Sequence, residues 1–100
     1  MTYRRLNGHV TKNAHYEESN GKRFLISYQT TVLCVVRNRL VCRGLYSATT
    51  RRHIGWFLRD IGANIDYHDV KKAFQLHNAV DITTGEQLEM TEEERNFFGL

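Results

Sequence analysis

A chain of 100 residues, 41% hydrophobic and 25% charged, belongs in one packed domain, because chains divide only when a core outgrows roughly 250 residues. No stretch approaches the roughly 20 apolar residues of a membrane span, and Met1–Asn7 contain no apolar signal core. Two cysteines are too few for a secreted disulfide scaffold or a structural zinc site. We therefore expect a single domain over residues 1–100, with no membrane association.

The charge is uneven along the chain. Residues 1–60 carry eleven Lys and Arg against three acids, a balance of +8, and residues 61–100 carry three bases against eight acids, a balance of −5. Ten of the fourteen bases are arginine, whose planar guanidinium suits bidentate contact with phosphate or carboxylate. This asymmetry favours an anionic partner, either nucleic acid or an acidic protein surface. The alternative is that the two halves neutralise each other, within the chain or between subunits.

The first half of the chain predicts strands. Residues 7–22 are polar and predict a loop around one short strand, with a turn at residues 19–22 because Asn and Gly tolerate positive φ. The β-rich run at residues 24–28 predicts a strand that includes Tyr28. Residues 31–36 are β-branched and almost continuously apolar, which predicts a central strand covered on both sides.

Residues 31–43 predict a hairpin, because polar residues 37–39 interrupt two apolar runs. The loop length decides where the cysteines lie. A three-residue loop would place Cys34 opposite Cys42, and a two-residue loop would place Cys34 opposite Arg43, on the other face from Cys42. We expect both cysteines to be free and mostly buried, as in an intracellular protein.

Residues 50–61 predict the first helix, because apolar residues recur there at i, i+3, i+4 and i+7. Thr49 or Thr50 would serve as its N-cap, and Gly62 is a suitable C-terminal stop. A second helix is predicted to begin at Asp66, with an acidic partner three residues on in a capping box.

The last quarter of the chain predicts a small hairpin over residues 80–90 and a short helix opened by a capping box at Thr91. Strands therefore come first and helices mainly second, an order typical of the α+β class. The predicted fold is a small antiparallel sheet with its central hairpin at residues 31–43, packed by two or three helices.

The densest polar segment, Tyr46 to His53, lies where the first helix is predicted to begin. A helix N-terminus attracts anions through its free N–H groups, and capping does not explain why two arginines stand there, since positive charge at this end is unfavourable. The segment therefore predicts binding of a phosphate or a carboxylate. The alternative is ordinary N-capping, with His53 hydrogen-bonded to the neighbouring strand. Trp56 is either an interface anchor or base-stacking platform beside Arg52 and Arg59, or a residue that widens the buried face.

Enzyme signatures are absent from the sequence, which contains no G-x-S-x-G elbow, H-E-x-x-H, phosphate loop or G-x-G-x-x-G. Cys34 lies in the most apolar predicted strand, where a thiolate is disfavoured. The five histidines show no metal-ligand spacing. We expect a protein that is not an enzyme and that needs neither a metal nor a cofactor.

Two segments carry a resemblance to known proteins: Ser27-Tyr28-Gln29-Thr30-Thr31-Val32, and Gly44-Leu45-Tyr46-Ser47-Ala48-Thr49-Thr50-Arg51-Arg52-His53-Ile54. They are similar to a pattern shared by small uncharacterised proteins of tailed bacteriophages and prophages, an S-Y-x-T-x-V strand, a hairpin and a Y-S-x-T-T-x-x-H-I helix start. The match covers about residues 24–62. The resemblance implies a phage-encoded protein in the cytoplasm of a bacterial host, and it implies no activity.

Three functional hypotheses follow from these observations. The first is a non-enzymatic binding protein that blocks or modulates a host protein or nucleoprotein complex, with a CRISPR-type defence nuclease as one candidate target. The second is a nucleic-acid-binding accessory protein that contacts phosphates with the helix start at residues 49–53. The third is a binder of small anions or nucleotides, or a hydrolase that uses His53. The protein is expected to be a monomer or a homodimer. The expected binding residues are Arg37, Arg39, Tyr46, Ser47, Thr49, Thr50, Arg51, Arg52, His53, Trp56 and Arg59.

Overall fold

The computed structural model describes residues 2–5, as backbone, together with residues 14–45 and 47–99. Within these residues the chain forms seven strands and three helices. In chain order they are β1 (Thr2–Arg5), β2 (Ala14–Ser19), β3 (Lys22–Ser27), β4 (Thr30–Val36), β5 (Arg39–Cys42), α1 (Ala48–Asp60), α2 (Tyr67–Leu76), β6 (Ala79–Asp81), β7 (Gln87–Leu88) and α3 (Glu92–Phe98).

All seven strands form one antiparallel sheet, and their order in space is their order in the chain. The central hairpins close through two-residue turns at residues 20–21, 28–29 and 37–38. Asn20 and Gly21 have φ angles of 52° and 79°, which are the values that a type I′ turn requires. The long connection runs from β5 to β6 and contains α1 and α2.

The sheet has two faces, because side chains alternate along each strand. Leu25, Leu33 and Leu40 lie on the first face, where they form the main core with the buried stripes of α1 and α2. Val41 lies on the second face, which α3 covers with the partly buried Phe97. The sheet therefore separates α1 from the short C-terminal helix, whose Phe98 contacts Phe74 and His77 at the end of α2.

The predicted helix ends are confirmed except for the start of α1. Ser47 is its N-cap, accepting a hydrogen bond from the Thr50 N–H, so the prediction of Thr49 or Thr50 is wrong and α1 begins two residues earlier. Gly62 follows α1 with a φ of 72°, a conformation that glycine adopts without strain. The capping boxes that begin α2 and α3 are both present.

One strand prediction is confirmed and one is wrong. The short strand predicted within residues 7–22 is β2, at residues 14–19, which pairs with both β1 and β3 despite its polar composition, whereas residues 7–13 lie outside the described part of the chain. Tyr28 is not a strand residue, since β3 ends at Ser27 and Tyr28 begins the next turn with a φ of 50°. Gln29, the second residue of this turn, also has a positive φ, of 70°.

The hairpin of β4 and β5 has a two-residue loop, which places the cysteines on opposite faces of the sheet. Cys34 pairs with Val41, and Cys42 pairs with Leu33. The prediction that a two-residue loop would place Cys34 opposite Arg43 is therefore wrong. The loop is formed by residues 37–38, and this position shifts the partner of Cys34 by two residues from the predicted one. Both cysteines are free and buried, as predicted. Burial raises the pKa of Cys34 to about 11 and that of Cys42 to about 12.

The predicted α+β class is confirmed: an antiparallel sheet is built around the hairpin at residues 31–43 and is packed by three helices. The sheet is larger than predicted, since it has seven strands. In the described part of the chain, no helix combines the length and apolarity that a bilayer crossing requires.

The turn at residues 28–29 is expected to store backbone strain, because two residues with side chains adopt positive φ there. Gln29→Gly should raise the free energy of unfolding by about 1 kcal/mol, since glycine removes this strain. Gly21→Ala should have the opposite effect and lower the free energy of unfolding by about 1 kcal/mol. Nothing lies within 4 Å of the added carbon, but a side chain at the φ of 79° strains the backbone. Urea unfolding measures both values, and a neutral Gln29→Gly would contradict the assignment of strain.

Candidate functional site

The two segments that carry the resemblance meet in space at the start of α1. Ser27, the last residue of β3, lies with its Oγ 2.7 Å from Nδ1 of His53 on α1 and 3.3 Å from Oγ1 of Thr50. All three side chains are buried, with 2 to 3% exposure. A strand end and a helix start that are 26 residues apart in the chain are thus joined by one polar cluster.

A chain of hydroxyl groups extends this cluster to the helix cap. The Ser47 Oγ lies 3.3 Å from the Thr50 Oγ1 and also accepts a hydrogen bond from the Thr50 N–H. Thr49 is half-buried beside this network, and Tyr46 lies outside the described residues. The hydroxyls of Ser47 and Thr50, which the sequence offers for an external anion, are therefore engaged within the protein.

Aromatic side chains lie on both sides of His53. The Tyr28 ring centroid is 5.8 Å from the imidazole, and the Trp56 ring centroid is 5.5 Å from it. Tyr28 is 51% exposed at its turn, and Trp56 is half-buried. We call Tyr28, His53 and Trp56 the aromatic row; its exposed edge borders the outward side of α1.

The hydroxyl of Ser27 and the imidazole of His53 are the groups that a nucleophile and its base would require, but the burial of both side chains favours a structural role. Burial lowers the pKa of His53, so the ring is neutral near pH 7. Both side chains are almost fully covered, and the described partners of His53 include no carboxylate that would orient it as a base. The interpretation that His53 bonds to a neighbouring strand therefore agrees with the structure.

The outward side of α1 carries the exposed Arg51, Arg52 and Arg59, which we call the arginine face. The Arg51 guanidinium lies 4.8 Å above the ring of Tyr67 on α2, a cation–π contact that holds it in place. Within the described residues, none of the three arginines pairs with an acidic side chain. The first turn of α1 contains no acid either.

The acidic end of the chain lies on the other side of the sheet. Glu94 on α3 accepts hydrogen bonds of 3.0 Å and 2.9 Å from Nε and Nη2 of Arg39, and Glu93 lies 2.6 Å from Lys22 Nζ. Burial raises the pKa of Glu94, but the bonds from Arg39 and from its own capping box outweigh burial and hold that pKa below its usual value. The two charged halves thus neutralise each other in part, on the second face, and the arginine face stays uncovered.

The predicted binding residues therefore form two groups. Arg39 is engaged by Glu94, and the exposed Arg37 stands at the tip of the hairpin with a φ of 58°, near the end of α1 rather than its start. The residues on α1 form the second group. Two residues that the predicted set omits, Ser27 and Tyr28, belong with it; the S-Y-x-T segment of the resemblance was the signal that could have identified them.

Two cavities of the described structure lie away from the start of α1, one beneath α3 and the other between the hairpin tips and the end of α1. In the same residues, no group of three or more His, Cys, Asp or Glu side chains could hold a metal ion. The site is an exposed surface supported by a buried polar cluster.

The chain belongs to a family of unknown function, DUF8033, whose sequence model matches residues 2–75. The match includes the buried cluster, the aromatic row and the arginine face, and it ends before β6, β7 and α3. No curated protein and no solved structure matches the chain.

Ser27→Ala should lower the free energy of unfolding by about 1–3 kcal/mol, because it leaves the buried Nδ1 of His53 without its partner and removes one of the two hydroxyl contacts of Thr50. Thr30→Ala is the matched control, since Thr30 is exposed at the start of β4, and it should change stability by less than about 0.5 kcal/mol. Denaturant unfolding gives both values. Equal losses in the two variants would contradict the role of the polar cluster.

Stability should depend on pH through His53, whose pKa in the folded chain lies below the 6.5 of a free histidine. Between these two pKa values the unfolded chain binds more protons than the folded one. The free energy of unfolding should therefore be largest above pH 6.5 and decrease as the pH falls through 6.5. His53→Gln should reduce this decrease, and His68→Gln, at an exposed position of α2, should not. Urea titrations on both sides of pH 6.5 would test this, and an unchanged slope in His53→Gln would refute it.

Proposed function

We propose that this DUF8033 member is a phage-encoded, non-enzymatic binding protein that blocks or modulates a host protein through the arginine face of α1. One observation carries the proposal: Arg51, Arg52 and Arg59 are exposed on one helix without acidic partners among the described residues. The chain does contain an acidic segment that could have covered them, but α3 packs on the opposite face of the sheet.

The chemistry of this surface suits a protein partner with an acidic patch. Arginine, tryptophan and tyrosine are the residues that most often dominate interface energies, and Trp56 and Tyr28 lie beside the arginine face. Gly55 lies between the arginines on α1, where an added Cβ would meet nothing within 4 Å, so a partner can approach the helix backbone closely. The buried cluster beneath keeps the surface rigid, which lowers the entropic cost of binding.

The assignment to a phage and to the cytoplasm of a bacterial host rests on the resemblance of residues 24–62. Small phage proteins without catalytic motifs often act by occupying a host factor. A defence nuclease is one such target, and nucleases present acidic metal-binding residues that an arginine face would complement.

Nucleic-acid binding is the second candidate, and the aromatic row favours it. An exposed Tyr28 and a half-buried Trp56 next to Arg52 could stack bases while the arginines contact phosphates. A binder of small anions is less favoured, because the hydroxyls of Ser47 and Thr50 at the start of α1 are bonded internally.

Replacing Arg52 and Arg59 together by Ala should weaken binding to the host partner at least about tenfold, since truncating an arginine that is buried at an interface costs about 1–2 kcal/mol. Lys71→Ala with Lys72→Ala removes the same charge from exposed positions of α2 and is the matched control. Tagged proteins incubated with bacterial lysate, followed by affinity measurement on the captured protein, provide the comparison. An equal effect of both double variants would show that the arginine face is not the contact surface.

Fluorescence anisotropy with labelled single- and double-stranded DNA and RNA separates the two candidates. Tight binding that weakens steeply between low and moderate salt would establish the nucleic-acid function, because bound counterions are released. We expect no such binding at tens of micromolar protein, a concentration within the usual range of non-specific dissociation constants.

A further inference from the structure

A groove lies on the second face of the sheet, beneath α3. Its floor is apolar and is formed by neighbouring strands, because the register places Phe24, Cys34 and Val41 side by side. Lys22 and Arg39 stand at its rim. Cys34 and Val41 are smaller than the leucines on the first face, and a cavity of about 260 Å³ remains between the floor and α3.

The chain's own α3 shows what chemistry the groove accepts. Its acidic first turn faces the basic rim, where Glu93 bonds to Lys22 and Glu94 bonds in bidentate fashion to Arg39. One turn further on, Phe97 lies over the apolar floor. An acidic turn followed by an aromatic side chain on the same side of a helix is therefore complementary to this surface.

Among the described residues, few groups hold α3 in place besides the Arg39–Glu94 pair: the Phe97 ring lies 6.4 Å from the ring of Phe24, and Phe98 packs against Phe74 and His77 at the end of α2. The helix has seven residues, none of them buried, and an isolated helix of this length is unstable in water. It leaves the cavity beneath it unfilled, so the lining of the cavity makes fewer dispersion contacts than a packed interior would. The Lys22–Glu93 pair is exposed and screened by solvent. The strands that form the groove lie within the family match, whereas α3 lies beyond its end at residue 75.

We infer that this groove is a docking site for an acidic amphipathic helix of a partner protein, and that α3 occupies it in the free chain. The partner helix would place two acids against Lys22 and Arg39 and a bulky apolar side chain in the cavity that α3 leaves empty. Because α3 is part of the same chain, its effective concentration at the groove is high. The partner helix therefore has to bury more surface in the groove than the two turns of α3 do. The groove is separate from the arginine face and does not depend on its function.

Alkylation of Cys34 tests the release of α3 in the full chain, because Cys34 lies on the floor that α3 covers. Glu94→Gln removes the charge that pairs with Arg39 and keeps a capping-box residue, since glutamine also serves at this position. N-ethylmaleimide should then modify Cys34 several-fold faster than in the wild type. Glu89→Gln is the matched control, because the Glu89 side chain is exposed and pairs only with Arg95 in the described structure.

Cys42 is an internal control on the other face, beneath α1 and α2. Its alkylation should stay slow in every variant. An equal increase in the alkylation rate of Cys42 would mean that the whole chain opens, and it would contradict a local release of α3. An unchanged alkylation rate of Cys34 in Glu94→Gln would contradict that release as well.

Docking is tested with a labelled peptide of about 16 residues, long enough to be helical when bound, that carries two glutamates one turn before a leucine and a phenylalanine. The Glu94→Gln protein should bind it several-fold more tightly than the wild type, because a larger fraction of the grooves is open. A control peptide with lysines in place of the glutamates should not bind. Equal binding of the two peptides would overturn the proposal. A dimer of the Glu94→Gln protein in sedimentation would also overturn it, since α3 of a second copy would then occupy the groove.

Discussion

The hydrogen bond between Ser27 and His53 ties the first helix to the sheet at a defined point. It joins the end of β3 to the second turn of α1 at 2.7 Å, in surroundings from which water is almost excluded. A polar contact without competing water is strong and directional, and its loss leaves unpaired atoms in a dry site. The contact acts together with the buried apolar stripe of α1, which turns Phe57 inward and leaves the arginines outward.

The distribution of charge follows from the sheet, which lies between α1 and α3. The sequence has a basic part and an acidic part, and the fold brings the acids of α3 onto basic residues of the second face only. There Glu94 pairs with Arg39, partly shielded from solvent, and Glu93 pairs with Lys22 at an exposed position, whereas the arginine face has no such partner in the described structure. One molecule thus offers an uncovered cationic helix on one side and a covered cationic groove on the other.

These two surfaces differ in how a partner would reach them. The arginine face, the contact surface proposed above, requires no rearrangement, because its side chains already face solvent. The groove requires α3 to leave first, so its apparent affinity is reduced by the fraction of molecules in which it is open. The short length of α3 and the cavity beneath it keep that conformational cost small. A chain of 100 residues can in this way separate a constitutive contact from a conditional one.

Local patterns determined much of this protein: the α+β order, the central hairpin, the stripe of α1, and the capping boxes at Asp66 and Thr91, because propensity and capping depend on neighbouring residues. Sequence patterns also located the polar segment at the start of α1. Only the tertiary structure decided that Ser27 and Tyr28 complete that site, that Arg39 is occupied by Glu94, and that the short strand within polar residues 7–22 lies at residues 14–19 between two others. These outcomes depend on which distant segments pair. Strand register and helix packing set that choice through contacts that no local pattern encodes.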